Sequence, residues 1–236
     1  MTSLTEVQVV RRSALEAAHL ALGARWVAEH IHWPEGYGAD DAAASMVAVA
    51  GGAGLAEIGP LDELLLRGPG ALAAAAGLAT GGPAATIGRA VAADLRGEPG
   101  DAWLLGPDEV LLLAPIGGSA LATLAGELAS DDVSAIEMSG ARTSLRLAGP
   151  AAPGILAELC PVDTTPVTMA PADLVQAPLA GVRAFIARQD AGSHPGYTIM
   201  VARDEAAYVW DAIRHVGARH GLTAVGPAAV VPEGTR

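Results

Sequence analysis

The sequence predicts an α+β protein of two related subdomains, each a mostly antiparallel sheet with helices packed against it. Three observations carry that prediction. First, a strand, Gly-Pro, helix unit occurs twice. Leu64-Leu65-Leu66-Arg67-Gly68-Pro69-Gly70-Ala71 runs on to Leu78, and Leu145-Arg146-Leu147-Ala148-Gly149-Pro150-Ala151-Ala152 runs on to Leu159. In both copies Gly closes the strand and Pro suits the first helical turn, where its missing N–H costs nothing. Second, apolar runs at 102–105 and 109–114 flank Gly106-Pro107-Asp108, a hairpin signal. Third, Val209, Trp210, Ile213 and Val216 form the apolar stripe of a C-terminal helix.

Taken along the chain, Ser13 suits the N-cap of a helix over 13–30, with Leu15, His19, Leu22 and Trp26 on one stripe. His32-Trp33-Pro34-Glu35-Gly36-Tyr37-Gly38 is broken by Gly and Pro and predicts a loop. A strand is expected over 61–67. Leu121, Leu124, Ala125 and Leu128 place a helix over 119–129. Over 142–147, Thr143, Leu145 and Leu147 alternate with Arg142, Ser144 and Arg146, which predicts a half-exposed strand. A helix over 151–160, strands over 182–187 and 197–201, and a last helix capped by Asp204 complete the set. The subdomains are expected to divide into residues 1–118 and 119–236, packed as one unit.

The 236 residues are 51% hydrophobic and 17% charged, which suits a packed core and argues against disorder. The net charge of −12, with no basic cluster beyond Arg11-Arg12, argues against nucleic acid as a partner. All 14 basic side chains are Arg. The absence of Lys excludes Schiff-base chemistry, covalent pyridoxal phosphate and a phosphate-loop lysine. Cys160 stands alone, as a buried small hydrophobe. The N-terminus has no charged-then-apolar leader, and 46–61 is too interrupted by Gly to span a bilayer. The expected location is the cytoplasm, with no membrane partner. His30 and His32 lack a third ligand at metal spacing, so no metal is expected. Glu57, Asp62 and Glu63 read as surface charge, and His215 and His220 as a solvated helix face. No dinucleotide-binding glycine motif or nucleophile elbow occurs, and the residues alone assign no catalytic constellation.

Several short motifs in order carry a resemblance. Gly54-Leu55-Ala56-Glu57-Ile58, the strand ending in Arg67-Gly68-Pro69, and Ala21-Leu22-Gly23-Ala24-Arg25 resemble the folate-binding glycine-cleavage T-protein family. Trp103-Leu104-Leu105-Gly106-Pro107-Asp108-Glu109, Ala141 through Ala152, Cys160-Pro161-Val162-Asp163 and Tyr208 through Ile213 resemble its sarcosine oxidase gamma subunit branch. Together they span about residues 13 to 225. The resemblance implies a T-protein-like fold lacking the family's C-terminal barrel, with a ferredoxin-like second subdomain. The family's catalytic Asp-Asp pair falls at Glu98-Pro99, with Asp101 nearby, so Glu98 and Asp101 are the candidate catalytic residues. Its pterin-binding Glu falls at Thr198, and Tyr197 is placed to stack on the pterin, giving a degenerate folate site.

The implied function is that of an accessory, non-catalytic gamma-type subunit of a heteromeric, folate-linked flavin oxidase or demethylase. The implied substrate is sarcosine or another N-methylated amine. Its partner would be a large oxidase subunit carrying the flavin and a folate domain. Tetrahydrofolate is the family cofactor, and flavin belongs only to partner subunits. The alternative is a stand-alone tetrahydrofolate-dependent aminomethyl- or methyltransferase. A third reading, a folate-binding regulatory protein, lacks the Lys-Gly-Cys context of that group.

Overall fold

Leu64, Leu65 and Leu66 occupy successive positions, so any strand that contains them must bury both faces. That condition sets the architecture: two sheets lie face to face, and helices cover their outer surfaces. The structure, a computed structural model, describes residues 11–28, 31–38, 42–59, 61–80 and 86–231.

In chain order the elements are β1 (Arg11–Arg12), α1 (Glu16–Ala21), β2 (Ala24–Ala28), β3 (Ile31–Tyr37), α2 (Ala42–Gly51), β4 (Ala53–Ile58) and β5 (Leu61–Arg67). There follow α3 (Ala71–Ala76), β6 (Arg89–Leu95), β7 (Glu98–Gly106), β8 (Glu109–Pro115), α4 (Ala120–Leu128), β9 (Ser134–Glu137) and β10 (Arg142–Ala148). The last are α5 (Ala152–Leu159), β11 (Leu174–Leu179), β12 (Val182–Arg188), β13 (Gly196–Ala202), α6 (Ala206–Gly217) and β14 (Leu222–Ala224). They build a five-stranded antiparallel sheet, β6-β7-β8-β5-β9, and a six-stranded sheet, β11-β12-β13-β10-β4-β14. Only the β14–β4 edge of the larger sheet is parallel. A small sheet, β1-β3-β2, lies at the N-terminal end. The α+β expectation holds.

Alternation along each strand partitions the core. Leu64, Leu66, Leu104 and Leu112 pack outward with Leu124 of α4. Leu145, Leu147, Ile199 and Tyr197 pack outward with Ile155 of α5 and Trp210 of α6; Cys160 joins this layer as a buried apolar residue. Between the sheets lie Leu65, Trp103, Leu111, Phe185 and Met200. Among the described residues no helix is long and apolar enough to cross a membrane.

Both copies of the repeated unit fold alike. Gly68 and Gly149 adopt φ +125° and +129°, a region that L side chains avoid. Each then accepts a bond from the first helical residue, Ala71 N–H to Gly68 O at 3.0 Å and Ala152 N–H to Gly149 O at 3.1 Å. The hairpin at 106–108 forms between β7 and β8 as expected.

The N-terminal expectation needs correction. The helix runs only from Glu16 to Ala21, because Gly23 at φ +70° turns the chain and Trp26 enters β2. The stretch 32–38 expected as loop is mostly β3. Its Pro34 faces Trp26 where the β2–β3 register shifts, so the missing N–H breaks no regular ladder. His30 lies outside the described residues, and His32 sits on β3 with Nδ1 3.1 Å from Glu16 Oε1.

Strand β10 is not half-exposed. It is paired on both edges, to β13 and β4, and covered on both faces, so Ser144 and Arg146 are buried along with the leucines. Glu57 and Glu63 are likewise buried rather than surface charges. The N-cap of α6 is Glu205, with no side-chain cap bond, and not Asp204. The two sheets also do not part at 118/119. Strand β4 belongs to the six-stranded sheet, while β9, which lies beyond residue 118, closes the five-stranded one.

Candidate functional site

Period-two alternation decides which side chains can meet between the sheets. On β7, Asp101 shares a face with Trp103 and Leu105, directed at the six-stranded sheet. On β13, Thr198 shares that inner face with Met200, whereas Tyr197 points outward into the helix-side core. On β10, Arg146 stands directly opposite Thr198. Gln189, just past the end of β12, closes the group.

These four residues form one polar cluster, with Arg146 and Thr198 buried and Asp101 and Gln189 half-buried. Gln189 Nε2 lies 3.5 Å from Asp101 Oδ2, and Thr198 Oγ–H donates to Gln189 Oε1 at 2.6 Å. All three guanidinium nitrogens of Arg146 are engaged. Nε donates to Val230 O at 3.1 Å, and one terminal nitrogen donates to Thr198 Oγ1 at 3.0 Å and Gln189 Oε1 at 3.4 Å. The other terminal nitrogen donates to Gln189 O. Burial pushes the pKa of Arg146 down to about 10, against the opposing pull of Asp190 and Asp101. Burial also pushes the Asp101 carboxyl above the usual carboxylate range, with the Gln189 bond and Arg146 opposing. A cavity of about 230 Å³ opens beside Asp101, walled by Thr80, Pro99, Gly100 and Leu113.

Asp101 and Thr198 are therefore brought together, and Glu98 and Tyr197 are not part of the cluster. Glu98 opens β7 three residues away, on the opposite face, where its Oε1 accepts from Ser119 N–H at 3.4 Å at the start of α4. It holds a helix N-terminus, which a carboxylate does favourably. Tyr197 is fully buried, and its hydroxyl donates to Thr164 O at 2.7 Å; burial pushes its pKa up to about 12. With both ring and hydroxyl committed to the core, it offers no face for stacking.

Sequence reasoning missed Arg146 and Gln189. The signal for Arg146 was present, because the alternation that paired it with Ser144 and Arg142 also put it on the face opposite Leu145. What the alternation does not say is that this face is covered by a second sheet. Chemically, the cluster offers one carboxyl with a raised pKa and an arginine saturated by protein acceptors. It holds no nucleophile with an adjacent base.

Comparison with known proteins bears on this geometry. The family model of the GCVT N-terminal domain matches residues 15–231. An aminomethyltransferase of Saccharopolyspora erythraea is 30% identical over 227 residues, 92% of this chain and 60% of that protein. The gamma subunit of sarcosine oxidase from Corynebacterium sp. (strain U-96) is 41% identical over 99 residues, 42% of this chain and 45% of that subunit. The chain thus spans less than two thirds of either relative in these alignments. Among solved structures, a chain of the heterotetrameric sarcosine oxidase from Corynebacterium sp. U-96, in complex with pyrrole 2-carboxylate, superposes with a TM-score of 0.65 at 26% identity. That match covers 92% of this chain and 99% of the other.

Proposed function

This chain belongs to the GCVT N-terminal domain family, and from that premise we propose that it is an accessory, non-catalytic gamma-type subunit of a heteromeric, folate-linked flavin oxidase. The complex would demethylate sarcosine or another N-methylated amine in the cytoplasm, with flavin and folate chemistry in a larger partner subunit.

One observation carries the reading. The resemblance puts the pterin-binding acid at Thr198, and the group facing Thr198 is the buried guanidinium of Arg146. A pterin edge presents N–H donors and is recognised by an acceptor such as a carboxylate. Here it would meet another donor, held in place by four protein bonds. Displacing that guanidinium would leave it buried without acceptors, at a cost of several kcal/mol, roughly. The near-complete superposition on one chain of a heterotetrameric oxidase points the same way.

A second reading keeps one supporting observation. Asp101 is a carboxyl of raised pKa beside a cavity, as a one-carbon transferase would use, and the alignment to an aminomethyltransferase covers 92% of this chain. Two measurements separate the readings. Co-expression with a flavin-containing large oxidase subunit should give a co-purifying complex with a higher Tm for this chain. Calorimetry of the isolated chain with tetrahydrofolate should give no micromolar binding. A well-behaved monomer that ignores the flavin subunit and binds tetrahydrofolate would reverse the assignment.

A further inference from the structure

Strand β4 ends at Ile58, opposite Ser144, so the first residues of β10 have a neighbouring strand on one side only, β13. The gap on the other side is a cavity of about 300 Å³, bounded by Arg12 of β1, by Arg203 just past β13 and by the Ser139-Gly140 turn. Arg142, Thr143 and Ser144 border it from β10. Ser144 is 5% exposed and Thr143 4%. Neither hydroxyl has a hydrogen-bond partner among the described residues, yet neither oxygen is sealed from solvent as Trp33 Nε1 and Glu57 Oε1 are. A packed strand seldom leaves a hydroxyl in that state, because a polar group that loses water without gaining a bond costs stability.

The guanidiniums at the cavity keep donors in reserve. Arg142 spends one terminal nitrogen on Glu63, and Arg12 one on Glu16, each at 2.7 Å. Arg203 donates one to the Arg12 carbonyl at 2.6 Å and meets no carboxylate among the described residues. Ser139 Oγ accepts from Glu63 N–H at 2.9 Å, which leaves its own proton free to donate. The acids nearby present little charge to the space. Glu63 is 2% exposed and tied to Arg142. Glu57 is 1% exposed, with Oε1 sealed and Oε2 taken by Ser13 Oγ–H and by His19 Nε2 at 2.8 Å. The cavity is thus bordered by three guanidiniums and three hydroxyls. A carboxylate brings two oxygens to such a set, and a phosphate group at least three.

We propose that this cavity binds a phosphate group, as the free ion or at the end of a small monoester. Arg203 and Arg142 would neutralise it, Ser144 and Thr143 would donate to its oxygens, and Ile58 and Leu61 would pack against the carbon part of an ester. The site shares no residue with the Arg146 cluster and is independent of the subunit reading.

The test is calorimetry of the full chain with inorganic phosphate, methyl phosphate and acetate, at constant ionic strength so that screening is the same throughout. Saturable binding in the millimolar range or tighter is expected with both phosphates, and roughly tenfold weaker binding or none with acetate. Tighter binding of methyl phosphate identifies a monoester as the ligand, and equal binding the free ion. Ser144→Ala and Arg203→Met should each weaken phosphate binding by about tenfold. The Ser144 hydroxyl bonds nothing in the protein, so Ser144→Ala should keep the parent Tm, and its lost affinity then reports the site and not the fold. Arg183→Met removes an exposed arginine that borders a different cavity, and it should bind phosphate as the parent does. The proposal is overturned by no saturable binding of either phosphate, by acetate binding as tightly, by unchanged affinity in Ser144→Ala, or by an equal loss in Arg183→Met.

Discussion

A guanidinium inside a protein survives only where acceptors surround it, and Arg146 meets that condition through Val230 O, Thr198 Oγ1 and both oxygens of Gln189. Arg146→Ala should therefore destabilise the fold by about 3 kcal/mol, measured by urea unfolding, because four acceptors lose their donor together. The same geometry decides what a restored pterin acid would do. In Thr198→Glu the new carboxylate faces Arg146 directly and pairs with it, so calorimetry should still detect no tetrahydrofolate binding. Only with Arg146→Ala added should the acid be free to accept from a pterin, and the double variant should bind more tightly than either single one. Asp101 is tested by pH. Its pKa in the folded chain is raised mainly by burial, so its contribution to stability is complete below the unfolded value near 4 and is lost as pH rises through the folded one. At neutral pH the cost of ionising this carboxyl in the folded chain counts against stability. Asp101→Asn should raise Tm at pH 7, and that gain should disappear in melts below about pH 4.

At the scale of elements, turn chemistry decides which parts the sequence discloses. Gly149 has φ +129°, and an added Cβ would stand 2.6 Å from Gly52 O, a backbone atom that cannot swing aside. Gly23 also has positive φ, +70°, but its Cβ would meet nothing within 4 Å. Gly149→Ala should cost more than about 3 kcal/mol in urea unfolding, combining steric clash with backbone strain, and Gly23→Ala only about 1. Where such a glycine stands between a leucine-rich strand and a Pro, as at Gly68-Pro69 and Gly149-Pro150, local chemistry suffices and the repeat is readable. The β7–β8 hairpin and the α6 stripe are readable for the same reason. Residues 16–37 are not, because Leu15, His19, Leu22 and Trp26 keep helical spacing while Gly23 ends the helix between them. For the site, alternation along Gly196-Tyr197-Thr198 already forbids Tyr197 and Thr198 from sharing a face. It cannot say which face meets another sheet, so the partnership of Asp101 with Arg146 depends on contacts 45 positions apart in sequence.

At the scale of the whole molecule, both sheets have helices on their outer faces, so the main apolar surfaces are covered by the chain itself. Helix α2 departs from this pattern. It has no charged residue from Ala42 to Gly51, and it buries Val49 against Ala56, Ala148 and Val225. On its outer side Met46 is 57% exposed and Val47 74%. A helix that borders water normally sets polar residues on that face, and an apolar patch left open on one usually marks a contact with another protein. If the chain is a subunit of a larger oxidase, α2 is where its partner should lie. Met46→Glu combined with Val47→Glu should abolish co-purification with the flavin-containing large subunit. Both side chains are exposed, so the Tm of the isolated chain should stay almost unchanged, within about 0.5 kcal/mol of stability. Val167→Glu is the control, because Val167 is 96% exposed on the segment between α5 and β11, away from α2 in sequence, and its substitution should leave assembly intact. If the α2 double variant co-purifies as the parent does, the docking face lies elsewhere. If the Val167 variant fails equally, added negative charge rather than a lost apolar contact disrupts assembly, and α2 loses its special role.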